Sequence, residues 1–102
     1  MTLRAVEFDP RADRELDAAK RWYRRHGLAP AHRFLLAVDQ ILQRIATGAE
    51  QGSPYQQRFR WMQVKRFPYL FYYEIRDPLP VLIYAVAHAR RRPGYWKRRA
   101  PP

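Results

Sequence analysis

Cysteine is missing from the 102-residue chain, so neither a disulfide framework nor a thiolate metal site is open to it. Lysine is nearly missing: only Lys20, Lys65 and Lys97 occur, and arginine carries the rest of the positive charge. Acids are scarce. Nine Asp and Glu stand against twenty Lys and Arg, a net charge of +11. A balance so far from neutral points to a polyanionic or acidic partner. The shortage of acids on the C-terminal tail also argues against a two-metal nuclease. The three histidines, His26, His32 and His88, are scattered, so no metal site is expected. No Gly-rich phosphate loop, His-Glu-x-x-His or Ser-centred nucleophile elbow occurs, and no cofactor is expected. Long apolar runs are missing too. The longest, Val81 to Ala87, is too short to cross a bilayer. Met1-Thr2-Leu3-Arg4 opens without the apolar stretch of a secretion signal. The expectation is a cytoplasmic protein with no membrane partner.

What the chain does have is apolar substance: 47% hydrophobic and 15% aromatic residues, enough for a core. Its length suits one domain, residues 1–102, with a basic C-terminal tail over residues 89–102.

Leu3 to Phe8 alternates and predicts a first strand. Asp9-Pro10 is a helix start, since Asp caps well and Pro suits the first helical position. Ala12, Leu16, Ala19, Trp22 and Tyr23 recur at helical spacing, and Gly27 is a natural stop. A second helix is expected from Pro30 to Gly48, carried by Phe34, Leu35, Val38, Ile41, Leu42 and Ile45. The short link predicts an antiparallel hairpin. Gly48 to Gln57 reads as a loop.

From Arg58 the period changes to extended. Arg58 to Arg66 is strand-like, with Met62 and Val64 on one face and Phe59 and Trp61 on the other. Tyr69 to Arg76 predicts the next strand, with Phe71, Tyr73 and Ile75 facing one way. Asp77 to Pro80 reads as a turn. Val81 to His88 is apolar at nearly every position, as in a strand interior to a sheet and covered on both faces. The expected fold is α+β: a strand, an antiparallel helix pair, then a three-stranded antiparallel meander, forming one sheet with the helices on one face. Tyr72 and Tyr84 would then line an uncovered face where a partner docks.

Three segments carry a resemblance: VEFDPRADRELDAA at Val6 to Ala19, VKRFPYLFYYEI at Val64 to Ile75, and VLIYAVAHARRRPGYW at Val81 to Trp96. In combination they resemble the RelE/ParE superfamily of toxins from type II toxin–antitoxin, or plasmid stabilisation, modules. The resemblance implies a growth-arresting toxin neutralised by a cognate antitoxin. It leaves the target open between ribosome-bound messenger RNA, cut by RelE-like endoribonucleases, and DNA gyrase, poisoned by ParE-like members without nuclease chemistry. A basic nucleic-acid-binding module that is not a toxin is the rival from another class.

Metal-free RNA cleavage needs a base near the 2′-hydroxyl, an acid near the leaving oxygen and cations at the phosphate. Lys65, Arg66, His88, Arg91 and Tyr95 are the candidate catalytic residues. Arg76, Arg90 and Arg92 are candidates for binding nucleic acid or another target, because guanidinium forks suit phosphate and carboxylate. The bland alternatives are that His88 bonds to backbone at a strand end, that the arginine run is a solvated face, and that Trp96 plugs the core.

Overall fold

The computed structural model describes residues 3–77 and 80–102. Met1, Thr2, Pro78 and Leu79 lie outside the described residues, so the reading of the N-terminal opening and the centre of the expected 77–80 turn rest on sequence alone.

The first strand, β1, is Val6–Phe8, shorter than the alternating run. Upstream of it the Arg4 N–H turns away to donate to Ala46 O at 2.9 Å, while Ala5 O still accepts from the Val81 N–H at 2.9 Å. Asp9 caps helix α1, Pro10–Arg25. The Asp9 side chain accepts from the Arg11 backbone N–H at 2.8 Å and from the Arg11 guanidinium at 3.0 Å. Those bonds and that charge hold the Asp9 carboxyl below its ordinary value, although burial pushes it up.

Helix α2 runs Leu28–Gly48, starting two residues before Pro30. Proline is tolerated there because first-turn N–H groups have no helical partner anyway. Only His26 and Gly27 join the helices, and Gly27 turns the chain with φ 131°. Tyr23 and Phe34 stack across the hairpin with ring centroids 4.6 Å apart.

Residues 48–57 are not all loop. A 3-10 turn at Ala49–Gln51 leads into a three-residue strand, β2, Ser53–Tyr55. It pairs antiparallel with β3, Phe59–Gln63. The Ser-Pro-Tyr sequence hid it, yet proline is permitted on an edge strand. Strand β4, Tyr69–Glu74, and strand β5, Val81–His88, complete a five-stranded sheet in the order β1-β5-β4-β3-β2. The expected three-strand meander therefore has a fourth member, and β1 closes on β5 in parallel.

β5 is interior, as its apolar run predicts, with β1 on one side and β4 on the other. A bulge breaks its alternation: Tyr72 lies opposite Ala85 but Tyr73 opposite Ile83, so Tyr84 is the extra residue. As a result Val81, Ile83 and Val86 face the helices, while Tyr84, Ala85 and Ala87 face the far side.

On the helix face, Leu16, Phe34, Ile41 and Ile45 meet Met62, Phe71 and Tyr73. The Tyr73 hydroxyl donates to Ala49 O at 2.6 Å, and burial pushes its pKa up to about 12. The far face is not open, contrary to expectation. The C-terminal segment folds across it and buries Trp96 completely, with ring centroids 4.8 Å from Phe59 and 4.9 Å from Tyr72. Tyr72 and Tyr84 are buried beneath this cover and offer no docking surface. The physical reason is that a sheet apolar on both faces must bury both, and the aromatic C-terminal segment covers the face the helices leave.

Candidate functional site

The fold gathers most of the candidate residues at one end of the sheet. His88 is the last residue of β5 and lies opposite Tyr69, the first of β4, with rings edge to face at 5.4 Å. Its Nδ1 accepts the Arg90 backbone N–H at 3.1 Å, and its carbonyl accepts that of Arg91 at 2.9 Å. These bonds turn the chain sharply, so Arg90, Arg91 and Arg92 stand exposed at fixed positions. Lys65 and Arg66 occupy the neighbouring β3–β4 turn, tied across to this one by the Ala89 N–H to Pro68 O bond at 2.8 Å. Arg66 holds a left-handed backbone, φ 70°, uncommon for a non-glycine residue. Phe67 then packs edge to face against the stacked Tyr23 and Phe34, 5.1 Å from each ring, pinning the turn to the helix hairpin.

Tyr95 is held by a residue that sequence reading passed over. Glu15, on α1, accepts the Tyr95 hydroxyl at 2.7 Å and the Arg99 guanidinium at 2.9 and 3.1 Å. It also accepts the Val86 backbone N–H at 3.1 Å. Arg99 donates in turn to Tyr84 O at 2.9 Å. β1 ends at Phe8, which leaves the upper edge of β5 without a strand partner, and these two side chains satisfy it. Arg91 lies over the Tyr95 ring at 3.9 Å and Arg99 at 5.3 Å. Burial, then the hydrogen bond to Glu15 and its charge, push the Tyr95 hydroxyl far above the ordinary tyrosine value. Burial works against the Arg99 charge, but Glu15 more than restores it and leaves the guanidinium above its ordinary value. The signal for Glu15 was its spacing: it sits three residues from Ala12 and four from Ala19, against the buried stripe of α1.

Three grooves open here, one of them running on along α2 past Asp39 and Arg44 from Lys65. Another, about 350 Å³, lies between α1 and the end of β5 and is lined by Glu15, Trp22, Arg25, His88, Arg91 and Tyr95. The third, about 640 Å³, is lined by Arg33, Leu36, Gln40, Lys65 and Arg66 along α2. Lys65 and Arg66 thus face a different groove from His88, Arg91 and Tyr95.

Arg76 stands apart, at the opposite end of β4. Its guanidinium donates to the Tyr84 hydroxyl at 2.7 Å, which donates to Glu74 at 2.8 Å. Arg58 reaches the same carboxylate at 2.8 Å and Pro101 O at 2.7 Å, so this knot fastens the end of the tail. Burial raises the Glu74 carboxyl, but Arg58 and Tyr84 outweigh it and hold it below its ordinary value.

The sequence, compared with known families, matches the family described as the ParE toxin of the type II toxin–antitoxin system, parDE, over residues 6–93. No curated protein matches it. Among solved structures the fold is similar to one described as the chromosomal ParDE TA system from P. aeruginosa. The TM-score is 0.72 at 16% identity, over 86% of this chain and 98% of that one. With the family's sequence signature running from β1 through the arginine turn, and the same α+β sheet beneath it, the chain belongs to the ParE toxin family of type II toxin–antitoxin systems, within the RelE/ParE superfamily.

Proposed function

We propose that this toxin arrests growth by binding DNA gyrase rather than by cutting RNA, and that a cognate antitoxin neutralises it in the cytoplasm. The observation that carries the reading is the state of Tyr95. Its hydroxyl is committed to Glu15, and its proton is held far more tightly than in a free tyrosine. A general acid works best with a pKa near the working pH. The cations that would accompany such an acid are divided between two grooves, Lys65 and Arg66 in one, His88 and Arg91 in the other. A binding role needs no convergence of an acid and a base. It needs exposed, positioned charge, which the Arg90–Arg92 turn supplies.

The groove along α2 suits the antitoxin. Leu36, half exposed, lies among Arg33, Lys65 and Arg66, so an amphipathic acidic segment finds both an apolar strip and countercharge. Inducing the chain without antitoxin, with messenger RNA ends and gyrase–DNA breaks mapped in parallel, tests the target. The expected result is broken DNA with intact codons. New RNA ends inside ribosome-bound messages would instead assign it to the RelE-like nucleases.

A further inference from the structure

The charge on this molecule is not spread evenly. Arg24 and Arg25 end α1, and Arg33 lies in the second turn of α2. Lys65 and Arg66 form the β3–β4 turn, and Arg90 to Arg92 form the turn after β5. All of these element ends meet at one pole. Tyr23 and Phe34 pack on Phe67 and Tyr69, and Tyr69 packs on His88. Every one of these eight cations is exposed, and none makes an ion pair among the described residues. Of the paired arginines, 4, 11, 58, 76 and 99, Arg99 borders the pole, over the same Tyr95 ring as Arg91, and its charge is met by Glu15. Two acids border the pole, and neither pairs with its cations among the described residues. Glu15 is bound to Arg99 and Tyr95, and Asp39 lines a groove with Lys65 without pairing to it.

We propose that this pole binds the phosphodiester backbone of double-stranded DNA. Eight like charges held together in a folded protein raise its self-repulsion, a cost that a bound polyanion relieves. The two cationic turns lie side by side, joined by the Ala89 to Pro68 bond, and together span the ends of β3, β4 and β5, roughly 10 Å across, with the ends of the helices behind them. That is a broad plate, suited to the phosphates lining one side of a duplex. Its cations come from turns and helix ends rather than from a channel wrapping a single strand. The inference deepens the gyrase reading: a gyrase inhibitor that also holds the enzyme's DNA would act on the enzyme–DNA complex. It is nevertheless tested on the chain alone, so it can fail while that reading stands, and the reverse.

The test is fluorescence anisotropy of a labelled random-sequence duplex of about 20 base pairs, titrated with the purified chain at several salt concentrations. With four to six phosphates neutralised, the affinity should fall with a log–log slope of roughly −4 to −5. Arg90→Gln/Arg91→Gln/Arg92→Gln should weaken binding by about a hundredfold or more and reduce the slope by roughly three. Arg14→Gln/Lys97→Gln/Arg98→Gln removes the same charge elsewhere and should change affinity less than about fivefold. Equal loss in both triple variants would reduce the effect to bulk charge and overturn the proposal. So would tighter binding of a single strand with the same number of phosphates, or equal binding of polyglutamate, which would mark the pole as a site for acidic protein.

Discussion

The hydroxyl of Tyr95 donates a 2.7 Å hydrogen bond to the carboxylate of Glu15, across eighty residues of sequence. This contact sets where the C-terminal segment lies, because the same carboxylate also takes Arg99 and the edge of β5. Tyr95→Phe removes one donor and should cost about 1 kcal/mol, or roughly 4–8 °C in melting temperature for a domain this size. Glu15→Gln turns an acceptor into a partial donor facing several donors, and should cost about 1–3 kcal/mol. Thermal unfolding of both should rank Glu15→Gln as the more harmful. A wild-type melting temperature in Glu15→Gln would mean that the knot does not hold the tail.

Arg91 is exposed, and its main contact is the face of the Tyr95 ring. Such a stacked pair contributes only about 0.5–1 kcal/mol at an exposed site. Arg91→Ala should therefore leave the fold nearly as stable as wild type. If the guanidinium pairs with target, its loss removes roughly 1.5–3 kcal/mol of binding, a factor of ten or more. Growth arrest on induction should weaken while melting temperature barely moves. Arrest that survives Arg91→Ala undiminished removes this residue from the target surface.

Trp96 is the contrasting case, fully buried among Phe59, Tyr72 and Tyr84. Trp96→Ala should cost about 3–5 kcal/mol, as other large core truncations do. Leu28, 88% exposed, should tolerate alanine within about 0.5 kcal/mol. Denaturant unfolding of the pair separates them. A mild Trp96→Ala would show that the far face of the sheet does not need its cover.

Asp9 and Glu74 both have carboxyl values depressed in the folded chain by their arginine partners. A group of this kind stabilises the fold above its unfolded value and loses that contribution as pH falls through its folded value. Stability should thus be level near neutrality and decline as the solution is acidified below about pH 4. Asp9→Asn keeps a good helix cap but removes the titrating group. Its melting temperature should start lower at pH 7 and fall less between pH 5 and pH 3. An acid response identical to wild type would exclude Asp9 from it.

Much of the fold was legible in the sequence. The helix hairpin shows in the spacing of Leu16, Phe34 and Ile41, and in a single glycine between two apolar periods. The interior position of β5 shows in its unbroken apolar run. β2 was not legible, because an edge strand of Ser, Pro and Tyr has the composition of a turn. The cover on the far face was read only in part. Trp96 looked like a core plug, but nothing local says which face it plugs. Spacing places Glu15 beside the buried stripe of α1, but its partners lie 71 to 84 residues away, so no local pattern names them. The site residues divided accordingly. Sequence reading placed the charge but not the grooves, and put Arg76 with residues at the other end of the sheet.

The strand order has one further consequence, for the timing of synthesis. The first strand waits for the last: β1 pairs only with β5, whose far face is sealed in turn by Trp96. The helix hairpin, with its contacts close in sequence, can form early on the ribosome, but the sheet cannot close until nearly the whole chain has emerged. Nascent and prematurely terminated chains therefore lack the arginine pole in its assembled form. If the pole is the binding surface proposed above, chain connectivity delays its assembly until β5 and the turn after it have emerged.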